Sequence, residues 1–212
     1  MCAHSESLCQ SSRLLQDTGL KRESYPFDWI FSNPTTIERI LEDDFGQFLQ
    51  RDLLVGNGAD QCGHLVYGER MLDHPKHMFF HHNPRDNDEH YMYFARCVRR
   101  FRALLSSDAS KLFVVTFPNL ERGAIPRLRA EVEQLNARLS TMTRNYRLFV
   151  VFHVPHCDSF DASTEDAGNA RFVALSTKSV SGGMVLTDPH ENRMLHKILL
   201  ESYDFAVEKL EG

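Results

Sequence analysis

The strongest constraint on the fold is a pair of apolar runs, Leu112-Phe113-Val114-Val115-Thr116-Phe117 and Leu148-Phe149-Val150-Val151-Phe152, separated by a segment of helical periodicity from about Ile125 to Met142. A strand with one wet face alternates polar and apolar side chains. A strand apolar at nearly every position needs cover on both faces, which is the situation in parallel sheets whose crossover helices pack above and below. Two such runs joined by a helix read as a βαβ unit. The chain is therefore expected to be α/β, a single domain over residues 1–212 with a mixed central sheet of about four to six strands flanked by helices. Further strands are expected at 65–67, 78–80, 171–175 and 184–186.

Helix punctuation fills in the rest. A first helix is expected from about Cys9 to Thr18, with Ser7 as its cap and Gly19 as the left-handed residue that closes it. Asn33-Pro34 opens a second, which carries Ile37, Ile40, Leu41, Phe45, Phe48 and Leu49 on one stripe. Residues 56–63, rich in turn formers, read as a loop. A long helix from about Asp88 to Leu105 repeats Tyr91, Phe94, Val98, Phe101 and Leu105 at steps of three and four. Asp188-Pro189 caps a final helix expected to reach about Leu210.

Composition excludes several function classes. The net charge of −5 argues against a nucleic-acid binder, and the basic group Arg96, Arg99, Arg100 and Arg102 reads as a solvated helix face. No apolar stretch approaches the about 18 residues of a membrane span. Met1-Cys2-Ala3-His4 has neither the basic start nor the apolar stretch of a secretory signal, so a cytoplasmic location is expected, and the five cysteines then read as reduced thiols. No glycine-rich phosphate loop occurs, which disfavours a nucleotide enzyme, and no cofactor is expected.

Chemistry centres on Cys9. A thiol at a helix N-terminus sits where partial positive charge favours the thiolate, and an imidazole nearby adds to it. Phe79-Phe80-His81-His82-Asn83-Pro84 supplies imidazoles, and strand alternation turns one of His81 and His82 inward and the other outward. His64, His74, His77, His81, His82 and His90 also form a loose cluster that a metal could use, though without the paired spacing of zinc motifs. His153 and His156, at the end of an expected strand, are further candidates for the thiol site. Asp28 by itself reads equally as the brace of a turn beginning at Pro26.

The span from Cys9 to Trp29, with Leu14-Leu15, Gly19-Leu20 and Ser24-Tyr25-Pro26-Phe27-Asp28-Trp29-Ile30, resembles the opening motif of a largely uncharacterised family described as papain-like cysteine peptidases. Phe80-His81-His82-Asn83, followed by Tyr93-Phe94 and Arg99-Arg100-Phe101, is similar to that family's second block. The resemblance covers about the first half of the chain. It implies Cys9 as nucleophile, His82 or its neighbour His81 as general base, Asp28 as the group that orients the histidine, and Trp29, His81 and Asn83 lining the site. It also implies a peptide or small-molecule substrate attacked at an amide or ester. Where family members carry Ser-Leu-Gly before the cysteine, this chain has His4-Ser5-Glu6. The alternatives are a binding or scaffold protein that keeps the fold without the chemistry, and a metal-binding protein.

Overall fold

A computed structural model describes residues 9–56, 61–68 and 78–203. In chain order the elements are α1 (Gln10–Asp17), α2 (Pro34–Glu42), β1 (Leu54–Gly56), β2 (Cys62–His64), α3 (Asp88–Ser106), β3 (Lys111–Phe117), α4 (Ile125–Met142), β4 (Tyr146–Val154), β5 (Asp161–Ala167), β6 (Ala170–Ser176) and α5 (Pro189–Glu201). The main sheet runs β3-β4-β6-β5, with the first three strands parallel and β5 antiparallel at the edge. β1 and β2 form a separate antiparallel pair.

The apolar runs are covered on both faces, as their composition requires. Leu148, Val150 and Phe152 of β4 join Phe172 of β6 in a core completed by α2, α3 and α4, including Ile40, Phe94, Phe101 and Leu128. The intervening residues Phe149 and Val151, with Val173 and Leu175 of β6, meet Leu14 of α1 and Leu195 and Leu199 of α5 on the other side. One strand's two-residue alternation thus feeds two hydrophobic clusters.

The helix ends follow their local chemistry. Leu20 N–H bonds to Leu15 O and Gly19 N–H to Gln16 O, with Gly19 at φ 73°, the paired pattern that closes a helix through a left-handed residue. Asn33 accepts from the Thr36 amide at 2.8 Å, and Asp188 accepts from the amides of His190 and Glu191. Ser7 lies outside the described residues.

Four local expectations are corrected. α2 stops at Glu42 because the Asp43 carboxylate takes the Gln47 amide and the Tyr67 hydroxyl, and Asp44 and Phe45 turn left-handed at φ 47° and 60°; Phe45 and Phe48 stay buried without a helix to carry them. Residues 65–67 form a turn, since His64 Nδ1 accepts the amides of Val66 and Tyr67; the strand lies three residues earlier, at Cys62–His64, and begins within the segment expected to be a loop. Residues 78–80 and 184–186 contribute only isolated bridges, Cys62 to Phe79 and Ser181 to Leu186. The last helix ends at Glu201 rather than near Leu210. β5 was not expected at all: Asp-Ala-Ser-Thr-Glu-Asp-Ala is polar on both faces and pairs through its backbone, across the two-residue turn Gly168-Asn169 with Gly168 at φ 63°.

Phe48 is fully buried with its ring 5.6 Å from Phe45, 5.4 Å from Phe79 and 6.0 Å from Phe94. Phe48→Ala is expected to lower the unfolding free energy by about 3–5 kcal/mol, read from denaturant midpoints.

Candidate functional site

α1 is docked by its first turn onto the carboxyl end of β3. Ser11 Oγ lies 3.0 Å from Thr116 Oγ1 and accepts the Thr116 amide at 3.0 Å, while Gln10 Oε1 meets Ser181 Oγ at 3.4 Å. Cys9, at the N-cap position, is thereby held at the edge where parallel strands end, the usual ligand edge of α/β sheets. The first amides of an α-helix find no acceptor within the helix, so the start of α1 carries partial positive charge.

Past Gly19 the chain doubles back and brings Lys21 beneath the thiol. Lys21 Nζ donates to Ser12 Oγ, one helical turn from Cys9, pairs with Asp28 Oδ2 at 2.8 Å, and lies 4.8 Å above the Trp29 ring. The ion-paired side chains are only 12% and 15% exposed, so solvent screens them little. Asp28 Oδ2 also accepts the Tyr25 amide at 2.7 Å and braces the turn. The motif Ser24 to Trp29 therefore does two jobs: its carboxylate holds a loop and a lysine at once. Lys21 was not singled out from the sequence, because a single lysine between a helix stop and a turn carries no periodic signal.

Burial pushes the Cys9 thiol above its ordinary value, and the Asp28 carboxylate pushes the same way; a bond to its own amide and the Lys21 ammonium pull it back. Burial, the largest of these influences, thus favours the protonated thiol, and one carboxylate and one ammonium act on it in opposite senses.

His82 packs against Tyr93 of α3. Its ring stacks on Tyr93 at 5.0 Å with 2° between planes and meets His90 and Phe94 edge-on. Burial, then His90 and His81, hold the imidazole below its ordinary pKa, and Nδ1 is buried with no hydrogen-bond partner among the described residues. Tyr93 in turn interacts through its hydroxyl with Ser24 and Cys97 and feels the charge of Asp28. Among the described residues no hydrogen bond joins Cys9 to His82 or Asp28 to His82. Cys9, Asp28 and Trp29 are brought together around Lys21, whereas His82 packs on Tyr93.

The other candidates are placed differently. His81 is exposed, its ring edge-on to Phe80 at 5.0 Å. Asn83 is 2% exposed and turned into its own loop, accepting the amides of Arg85 and Asp86. His64 is buried, bonding Gln47 O through Nε2 and the Val66 and Tyr67 amides through Nδ1. His74 and His77 lie outside the described residues, and among the described residues no three metal-ligating side chains converge. His156 is exposed at φ 60°.

His153 is 2% exposed and fully used: Nδ1 accepts the Asn119 amide, and Nε2–H donates to Thr177 Oγ1 at 2.7 Å. Thr177 Oγ1 then donates to Ser179 O, so the imidazole ties the ends of β3, β4 and β6 together. Burial lowers its pKa to about 4.

The buried His153 imidazole makes stability depend on pH. With a folded pKa near 4 and an ordinary value of 6.5, the unfolded state binds the extra proton in between, so stability is lost as pH falls through that window. The advantage of the native chain over His153→Asn is expected to shrink by about 3 kcal/mol from pH 7 to 4, measured by denaturant unfolding at each pH. Asp28→Asn removes the carboxylate that raises the thiol, so Cys9 is expected to alkylate faster at neutral pH; Lys21→Met removes the opposing cation, so Cys9 should alkylate more slowly. Mass spectrometry of the Cys9 peptide reads both.

No curated protein and no solved structure matches the chain. A family profile matches residues 6–154, which holds Cys9, Lys21, Asp28, Tyr93 and His82 together with β3 and β4. By that match, which spans more than half of its length, the chain belongs to the family described as "Putative papain-like cysteine peptidase (DUF1796)".

Proposed function

We propose that the protein is a thiol hydrolase or acyltransferase in which Cys9 attacks an amide or ester carbonyl. The observation that carries this reading is the placement of Cys9 at the N-terminus of α1 on the strand-end edge, against the buried Lys21–Asp28 pair. Such an arrangement supplies a sulfur, an adjustable local charge and the positive end of a helix dipole.

A half-buried, protonated thiol needs a proton acceptor at the moment of attack. His82 is the base in this reading: its depressed pKa keeps it neutral near pH 7, and Nδ1 has no other hydrogen-bond partner among the described residues. The proton passes from sulfur to imidazole as the thiolate adds to the carbonyl, and the amides opening α1 receive the oxyanion. Collapse expels the leaving group, which takes the proton from His82. Water or another nucleophile then releases the acyl group from sulfur. Asp28 acts by holding Lys21 at the thiol. A peptide substrate is compatible with the family, and Trp29 and His81 are proposed to flank it.

The second reading is a binding protein that keeps the fold without turnover. The raised thiol pKa and the lack of a hydrogen bond between Cys9 and His82 favour it.

The rate of Cys9 alkylation against pH, in the native chain and in His82→Ala, decides between them. The catalytic reading requires a reactive thiol that slows at neutral pH when His82 is removed, and general-base assistance of about 10²–10⁴-fold in turnover once a substrate is found. Equal, ordinary rates in both proteins would leave the binding-protein reading.

A further inference from the structure

We infer that an open groove between the segment after α1 and the exposed side of α3 is a binding site for a phosphate dianion. The groove has a volume of about 490 Å³ and is lined by Lys21, Arg22, Glu23, Tyr93, Arg96 and Arg100. Its charge runs against that of the chain, which is −5 overall.

The cations are not equivalent. Lys21 is neutralised by Asp28 at 2.8 Å. Arg100 donates Nε and Nη2 to Ser24 O at 3.0 and 2.7 Å, which fixes its guanidinium but leaves its charge uncompensated, because the acceptor is a neutral carbonyl. Arg22 and Arg96 are exposed and have no ion pair among the described residues. Three guanidinium charges therefore face the single carboxylate of Glu23. Arg96 and Arg100 stand at i and i+4 on α3, a like-charge spacing that costs about 0.2–0.5 kcal/mol in a helix. On α4 the same spacing is used the other way, with Arg127 on Glu131 and Arg129 on Glu133.

A ligand that offsets this excess carries about two negative charges and several acceptor oxygens. Phosphate fits both, since planar guanidinium forks meet its oxygens in pairs. Arg100, already held by Ser24, presents a fixed donor, and Arg22 and Arg96 close on the anion from two different segments. The Tyr93 ring joins the groove wall to His82. Resting on the hydrolase reading, the site would seat a phosphate carried by the substrate of Cys9.

Calorimetric titration of the purified chain with inorganic phosphate at low ionic strength tests the groove. Saturable one-site binding is expected, at least tenfold weaker in Arg96→Ala and in Arg22→Ala, unchanged in Arg127→Ala, and weakened by added salt. Absence of saturable binding, or equal affinity in Arg96→Ala and the native chain, would overturn the inference. Both replaced arginines are exposed, so folding is not at stake. The titration involves no thiol chemistry: failed phosphate binding removes the groove alone, whereas an unreactive Cys9 beside intact phosphate binding removes the hydrolase reading alone.

Discussion

Burial of β4 on both faces is the constraint on which the rest of the molecule depends. Seven of its nine residues, Leu148 to Val154, are buried without a break, and alternate side chains enter two different clusters. Such a strand cannot lie at an edge or against solvent. It forces helices onto both sides, α2, α3 and α4 on one and α1 and α5 on the other, and it needs neighbours on both edges, which β3 and β6 supply. The carboxyl ends of those three parallel strands are then brought to one rim, and His153 locks that rim by satisfying an amide after β3 and a hydroxyl after β6.

The candidate site is built on that rim by short polar links. Ser11 and Thr116 anchor α1 at β3, so the helix start that carries Cys9 is fixed by a strand more than a hundred residues away in sequence. Lys21 and Asp28 then join the helix exit to the Tyr25 turn. The pair is nearly enclosed, where removing one partner leaves the other's charge uncompensated. The same two charges act on the thiol in opposite senses, so the structural device and the chemical one are a single contact. His82 belongs to an aromatic group with Tyr93, Phe94 and His90, adjoining this contact rather than bonded to it.

Legibility in the sequence followed the physical range of each signal. Gly19, Asn33 and Asp188 were readable because a cap is a bond between residues two or three apart. The βαβ core was readable because apolar runs leave few options. Asp43 ended α2 early by reaching the Tyr67 hydroxyl, a partner 24 positions away that no local pattern announces. β5 was missed because an exposed edge strand binds through its backbone, which carries no hydrophobic alternation; only Gly168-Asn169 pointed to a hairpin. Lys21 escaped notice for a similar reason, since its significance lies in what it faces.

The sequence by itself determined the class of the fold, the two-sided burial of its central strands, most helix starts, and the family motif that carries Cys9, Asp28 and Trp29. Those properties are set by side-chain hydrophobicity and by hydrogen bonds that close within a few residues. The tertiary structure alone decided that Asp28 pairs with Lys21, that His153 is spent on holding strand ends, and that Arg22 meets Arg96 and Arg100 across a groove. Each of those is a through-space meeting of charges or donors outside any regular repeat, and electrostatic partnership has no period by which a linear chain could announce it.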